Sequence, residues 1–307
     1  MLDYPALAAI AAVVREGSFE RAAAALGVTP SAVSQRVRAL EERLGAVLVV
    51  RGQPCLPTPA GTRICAHVER VRLLEGEVVA ALPALESVGE REGRVTVRMA
   101  VNADSLGTWF PPAAAAFALA TGALLDLVLD DEEHTAGRLR SGEVLAAVTA
   151  EPKPVQGCRT RSLGALRYAA TASPAFVRRH FPGGVDLRGL ARAPVLRFDR
   201  RDRLQARWVR EVLGAELAAP THQAPSTQAF VDLALAGLGW CMNPLPLAGP
   251  ALADGRLVEL LPGRRLDVPL HWQHARLGGH LLDALTRTVV ATARSGLVQP
   301  SPDASGT

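Results

Sequence analysis

Ser31, Ser34, Gln35 and Arg38 fall on one side of the stretch Pro30–Leu44, while Val33, Val37, Leu40 and Leu44 recur at spacings of four, three and four. At 100° per residue the two sets take opposite faces of a helix. Hydroxyls, an amide and a guanidinium without a carboxylate among them are groups that can read base edges in a major groove. Arg51, at the centre of Val49-Val50-Arg51-Gly52-Gln53, can contact a phosphate or enter a minor groove. An ordinary three-helix core with a polar outer face carries the same pattern, and an isolated exposed arginine is usually only solvated.

A second group of polar residues suits a small zwitterion. Asn102, Asp104 and Ser105 follow one apolar run, Thr149 and Glu151 a second, Thr171 a third, Asp199 and Asp202 a fourth, and Ser226 and Thr227 open an expected helix. Strand ends and helix starts offer hydroxyls and free amides to a carboxylate, and the acids attract a cation. Ser105 is the expected cap of the helix after the first run. Taken singly, each of these residues is equally a cap or a solvated loop acid.

Catalytic signatures are missing: there is no Gly-x-Ser-x-Gly, phosphate loop or His-Glu-x-x-His. His271 and His274 lie close together on an expected strand without companions, and Cys55, Cys65, Cys158 and Cys241 are scattered without zinc-site or disulfide-scaffold spacing. No enzyme, metal or resident cofactor is expected, and the thiols are expected to be reduced.

These side chains need elements to hold them. A helix over Ala6–Arg15 ends at Gly17, Ser18 caps a helix Phe19–Leu26, and Thr29 caps the helix that Pro30 begins and Gly45 stops. Val47–Val50, a turn Arg51–Pro54 and a return through Cys55-Leu56 make a small hairpin, or wing. After Thr58-Pro59 a long helix carries Ile64, Val68, Val71, Leu74, Val78, Leu82 and Leu85 in one stripe suited to a second copy of the chain, although it could pack on its own chain. Glu86–Gly93 lacks a stripe and is expected to be a hinge.

From Arg94 onward apolar strands over Val95–Val101, Leu124–Leu129, Leu145–Val148, Arg167–Thr171, Pro194–Phe198, Gly239–Met242 and Val268–Trp272 alternate with helices. Helices are expected near Pro111–Ala120, Thr135–Ser141 and Gly279–Arg294. This is an α/β rhythm, best accommodated by two linked lobes. The 307 residues, 49% of them hydrophobic, exceed one compact core. A formal charge of +4 and a pI near 9.2 permit a polyanionic partner without demonstrating one. No signal stretch or bilayer-length apolar window is evident, so a cytoplasmic protein without a membrane partner is expected.

Gly17-Ser18-Phe19-Glu20-Arg21-Ala22-Ala23, Val28-Thr29-Pro30-Ser31-Ala32-Val33-Ser34-Gln35, Leu40-Glu41-Glu42-Arg43-Leu44-Gly45 and Thr58-Pro59-Ala60-Gly61 resemble the LysR-type transcriptional regulators. The stretch Val49–Cys55 is more similar to the branch that controls lysine and arginine export. Asn102-Ala103-Asp104-Ser105, Thr108-Trp109-Phe110, Trp240 and Asn243-Pro244 are similar to that branch too.

The resemblance implies a winged helix-turn-helix over residues 1–60, a linker helix and hinge over 61–90, and an effector domain over 91–307 built like a periplasmic binding protein. Its first lobe would span about 94–161 and 267–296 and its second about 162–266, with crossovers near Arg161 and Leu266. Ser18, Thr29, Pro30, Ser31, Ser34, Gln35, Arg38 and Arg51 then form the expected surface for double-stranded promoter DNA, and the linker stripe pairs subunits into a homodimer or tetramer. The implied effector is lysine or arginine and the implied target an exporter of basic amino acids. The alternatives are a different small metabolite, a solute-binding protein, or a DNA-binding protein that needs no ligand.

Overall fold

The computed structural model describes residues 3–81, 95–129, 132–276 and 279–299. Three helices open the chain: α1 (Tyr4–Glu16), α2 (Phe19–Leu26) and α3 (Pro30–Leu44). Gly17 ends α1 in the left-handed region at φ 70°, where a Cβ would be strained, and Ser18 then caps α2 by accepting from Arg21 N at 3.1 Å. Thr29 caps α3 by accepting from Ala32 N at 3.2 Å. Ile10, Val13, Ala22, Ala23, Val33, Val37 and Leu40 form the core between the three helices.

The apolar stripe of α3 closes one turn earlier than expected. Leu44 is exposed, and Leu48 fills the core in its place. The Glu41 carboxylate accepts from Leu48 N at 2.7 Å and Val49 N at 3.2 Å, drawing the chain back onto the bundle after Gly45. Short strands β1 (Val49–Val50) and β2 (Leu56–Pro57) pair antiparallel as the wing.

Helix α4 (Pro59–Ala81) starts where Thr58 Oγ1 accepts from Gly61 N at 3.1 Å and donates to Val47 O at 2.7 Å. A Cβ on Gly61 would stand 2.0 Å from Leu48 O, so this close crossing of helix and wing requires glycine. The expected single stripe of α4 divides. Val68 is buried and Ile64 half-buried in the core of their own N-terminal unit, Val71 is half-buried, and Leu74 and Val78 are exposed. Leu73, off the stripe, enters the core of the second unit. Val68 and Ile64 therefore pack on their own chain, because the first turns of α4 cover a small bundle that has too few side chains to close itself. Leu82, Leu85 and the expected hinge at Glu86–Gly93 lie outside the described residues.

The second unit runs β3 (Thr96–Val101), α5 (Ala103–Gly107), α6 (Phe110–Thr121), β4 (Leu124–Leu129), α7 (Glu132–Ser141), β5 (Ala146–Thr149), β6 (Cys158–Ala172), α8 (Pro174–His180), α9 (Leu187–Arg192) and β7 (Val195–Arg197). It continues through α10 (Leu204–Leu213), β8 (Thr221–Gln223), α11 (Thr227–Leu235), β9 (Cys241–Pro244), α12 (Leu245–Ala253), β10 (Val258–Glu259), β11 (Arg265–Ala275) and α13 (Gly279–Gly296). One sheet holds the order β10-β6-β11-β5-β3-β4, with β9 also on β6, while β7 and β8 form a separate parallel pair.

Two strands are longer than their apolar runs suggested. β6 and β11 pair antiparallel from Arg265↔Ala169 to Ala275↔Cys158, with a register shift between Leu270 and His271. They carry Arg161 and Leu266 and take the chain from one half of the sheet to the other and back. Trp109, Phe110, Phe117, Trp208, Trp240 and Trp272 are buried along the core that this sheet supports. All four cysteines are free thiols.

Candidate functional sites

On the N-terminal unit, Pro30, Ser31, Gln35 and Arg38 are exposed and Ser34 half-buried on the face of α3 turned away from the core. Arg38 Nε donates to Glu42 at 2.9 Å, a fully solvated pair one turn along, which offsets little and is readily exchanged for another acceptor. Ser18 and Thr29 use their side-chain oxygens as caps, so they shape the helix starts and keep their outward surface at the same edge. Arg51 stands over the Phe19 ring at 5.0 Å, a cation–π contact that sets the wing tip against the start of α2. Cys55 N donating to Gly17 O at 2.8 Å secures the other side of the wing. The result is a polar helix face beside an arginine held at the wing tip, groups of the kind that read a major groove and its flanking backbone.

The second unit brings some of the expected polar residues together and disperses others. Asn102, not Ser105, caps α5, accepting from Ser105 N at 2.7 Å. Ser105 is buried and its hydroxyl accepts from Trp109 Nε1 at 3.0 Å, because an indole N–H in a core needs a partner. That placement commits the Ser105 oxygen as an acceptor within the core. Asp104, one residue earlier, faces the other way and receives two hydroxyls: Thr227 Oγ1 donates to Oδ1 at 2.6 Å and Tyr168 Oη to Oδ2 at 2.7 Å. Burial pushes the Asp104 carboxyl above its ordinary value, the two hydroxyl bonds pull it back, and the charge of Asp202 adds a further upward push.

Asp199 and Asp202 fold back on their own loop. Asp199 accepts from Arg201 N and Asp202 N at 2.7 and 3.0 Å and pairs with the Arg201 guanidinium, which holds its carboxyl below the usual value despite the opposing effect of burial. Asp202 accepts from Phe198 N, Leu204 N and Gln205 Nε2, so most of its acceptor capacity is spent on its own loop and the start of α10. Thr149 is buried and accepts from Glu151 N, while Glu151 Oε1 accepts from Lys153 N. Ser226 caps α11 through Ala229 N. Thr171 is buried and accepts from Asn243 Nδ2 at 2.8 Å; Asn243 Oδ1 and Trp240 Nε1 are buried polar atoms without a partner among the described residues.

Tyr168 is the candidate site residue that the strand-end rule passed over, since it lies inside β6 rather than at its end. A signal was present: it is one of two tyrosines, set between Arg167 and Ala169-Ala170, and a buried phenol requires an acceptor. Among the described residues no group of three His, Cys, Asp or Glu side chains could hold a metal ion. Nor is any described helix long and apolar enough to cross a membrane. His274 is buried, with Nδ1 3.1 Å from the Ala275 carbonyl, and burial lowers its tendency to protonate.

Comparison with known proteins agrees with this division of the chain. The bacterial regulatory helix-turn-helix protein, lysR family, matches residues 5–62, and the LysR substrate binding domain matches residues 90–297. The HTH-type transcriptional regulator ArgP of Pseudomonas aeruginosa is 46% identical over 301 residues, covering 98% of this chain and 99% of that protein. The crystal structure of ArgP from Mycobacterium tuberculosis superposes with a TM-score of 0.80 at 44% identity, over 98% of this chain and 100% of the other. Full-length LysG from Corynebacterium glutamicum with bound effector Arg gives a TM-score of 0.70 at 39% identity, over 97% and 100% of the two chains. Matched in both of its parts and over nearly its whole length, the chain belongs to the LysR family and is a DNA-binding transcriptional regulator with an effector-binding domain, not an enzyme.

Proposed function

We propose that this regulator senses a basic amino acid, lysine or arginine, at the carboxylate of Asp104, and that occupancy alters how a homodimer grips promoter DNA upstream of a basic amino-acid exporter. The observation that carries the reading is the Asp104–Thr227–Tyr168 constellation. A part-buried carboxylate held by one hydroxyl from α11 and one from β6 joins three separate parts of the unit. A ligand ammonium or guanidinium beside it would form charge-assisted bonds and offset the cost of burying the negative charge. Corynebacterium glutamicum LysG, with its bound effector Arg, supports that ligand class.

In this reading Ser31, Ser34, Gln35 and Arg38 contact base edges, Ser18, Thr29 and Pro30 line the approach to the backbone, and Arg51 anchors the wing. Domains then run over residues 1–60, 61–90 and 91–307, and Leu74 and Val78, with Val71, meet a second copy along α4. The protein works in the cytoplasm, where its DNA is. Asn102, Thr149, Glu151, Thr171 and Ser226 shape the cleft through the bonds described above rather than by direct contact.

Calorimetric titration with lysine, arginine and uncharged amino acids, with and without the upstream promoter duplex, tests the reading. Saturable binding of a basic amino acid that changes DNA affinity is the expected result, since coupling between two sites must be reciprocal. Intact specific DNA binding without any response to either basic amino acid would assign the cleft to another metabolite.

A further inference from the structure

The excess positive charge of the chain sits away from the DNA-reading face. Residues 1–60 hold six arginines against five acids, a net of +1, whereas residues 162–266 hold fourteen arginines against eight acids, a net of +6. Part of that excess converges. Arg197, Arg203, Arg207 and Arg210 line a cavity of about 350 Å³ together with Glu216 and Leu217.

The local folding explains the convergence. Gln205, Trp208 and Val209 are buried, and Trp208 Nε1 donates to Arg264 O at 2.6 Å, which fixes the inner face of α10. Arg203, Arg207 and Arg210 recur with spacings of four and three on the outer face, and Arg197 joins them from the end of β7. Arg207 pairs with Glu211 at 2.7 Å and Arg210 with Glu216 at 2.7 Å. Arg197 donates through Nε to the Asp202 carbonyl, a neutral acceptor, at 3.0 Å, and the Arg203 guanidinium has no partner among the described residues. Four guanidiniums against two carboxylates leave a net of +2 around one concave space.

We propose that this cleft binds a phosphate dianion, free or as the monoester of a small metabolite, as a site separate from the Asp104 cleft. Arginine presents a planar fork of donors that matches phosphate oxygens, and a phosphate monoester carries close to two negative charges at neutral pH. The concave form of the site and its size favour a small anion over a polymer. Because Asp202 supplies its carbonyl to Arg197 and its carboxylate to the start of α10, an anion bound here sits on the same loop whose charge reaches Asp104.

The test is calorimetry on the full-length protein at constant ionic strength with inorganic phosphate, glycerol phosphate and sulfate, repeated on an Arg203→Gln/Arg207→Gln double variant. Phosphate or glycerol phosphate should bind saturably with a Kd of about 1 mM or tighter, and the double variant should bind at least about tenfold more weakly while keeping its thermal unfolding temperature. Tighter binding of the ester than of inorganic phosphate identifies a metabolite as the source; the reverse identifies free phosphate. Absence of saturable binding, equal binding by the double variant, or sulfate binding as tightly as phosphate overturns the proposal. So does a loss of affinity for DNA of any sequence in the double variant when no phosphate binds, which would make the cleft a polymer contact.

Discussion

Asp104 and Thr227 stand 123 positions apart in the chain and meet through a 2.6 Å hydrogen bond, with the threonine at the first position of α11 and the aspartate in the first turn of α5. The bond ties the loop after β3 to a helix that packs around β9. On the proposed reading, a ligand that engages that carboxylate acts on both elements at once.

Asp104→Asn separates recognition from stability. Burial holds the folded carboxyl above its ordinary 3.8, so as pH rises past 3.8 the unfolded chain loses its proton before the folded chain does, and stability falls until the folded group has ionised as well. The variant lacks that loss. Its unfolding temperature should decline less than that of the parent as pH rises above about 4, while affinity for a basic amino acid drops about tenfold or more. Loss of stability at neutral pH together with unchanged ligand affinity would show the carboxylate to be structural only.

Tyr168→Phe removes one donor and leaves the ring in place. The expected cost to stability is roughly 1.5–3 kcal/mol by chemical denaturation, as for one hydrogen bond to a charged group. Effector affinity should fall less than in Asp104→Asn, because Thr227 still orients the carboxylate. A Tyr168→Phe loss as large as that of Asp104→Asn would place the phenol itself on the ligand.

Gly61→Ala pushes a methyl into the Leu48 carbonyl, and neither backbone segment can yield alone. We expect a loss of at least about 2 kcal/mol, confined to the N-terminal unit. Ligand binding by the second unit should persist while DNA binding fails, as judged by calorimetry beside a gel-shift assay. Retained DNA affinity at full strength would contradict the close crossing of α4 and the wing.

Arg38→Ala should weaken binding to the operator by roughly 1–3 kcal/mol and leave binding to random duplex nearly unchanged, which fluorescence anisotropy on both duplexes can read. Equal weakening on the two duplexes would move Arg38 from base reading to phosphate contact.

Leu74→Glu combined with Val78→Glu places two charges on the exposed part of α4. Sedimentation velocity should show a shift to monomer without a change in unfolding of either unit, since neither side chain is buried within the chain. An unaltered dimer would mean that the subunits pair elsewhere.

The N-terminal unit was legible because its signals are local. Gly17, Ser18, Gly27, Thr29, Pro30 and Gly45 stop and start helices through their own backbone geometry, and α2 and α3 begin and end at the residues those signals mark. The candidate effector site was legible only in part. A carboxylate after a strand has the same appearance in sequence whether it faces a ligand, as Asp104 can, or closes its own loop, as Asp199 and Asp202 do. Asn102 and Ser105 are both competent caps, and the choice between them depended on Trp109, whose indole claims the serine. Along α4 the stripe serves the N-terminal core at Ile64 and Val68 and an open face at Leu74 and Val78, while Leu73, off the stripe, packs on the second unit, and spacing alone cannot apportion these roles.

The carboxylate of Glu41 accepts the amides of both Leu48 and Val49, so the end of α3 and the root of the wing are joined at one atom. The head is consequently a ruler of fixed length. The offset between the outer face of α3 and Arg51 is set within the protomer, and on the proposed contacts a promoter must meet both at that phase of the double helix. Adjustment to operators of different spacing falls to whatever joins one protomer to the next.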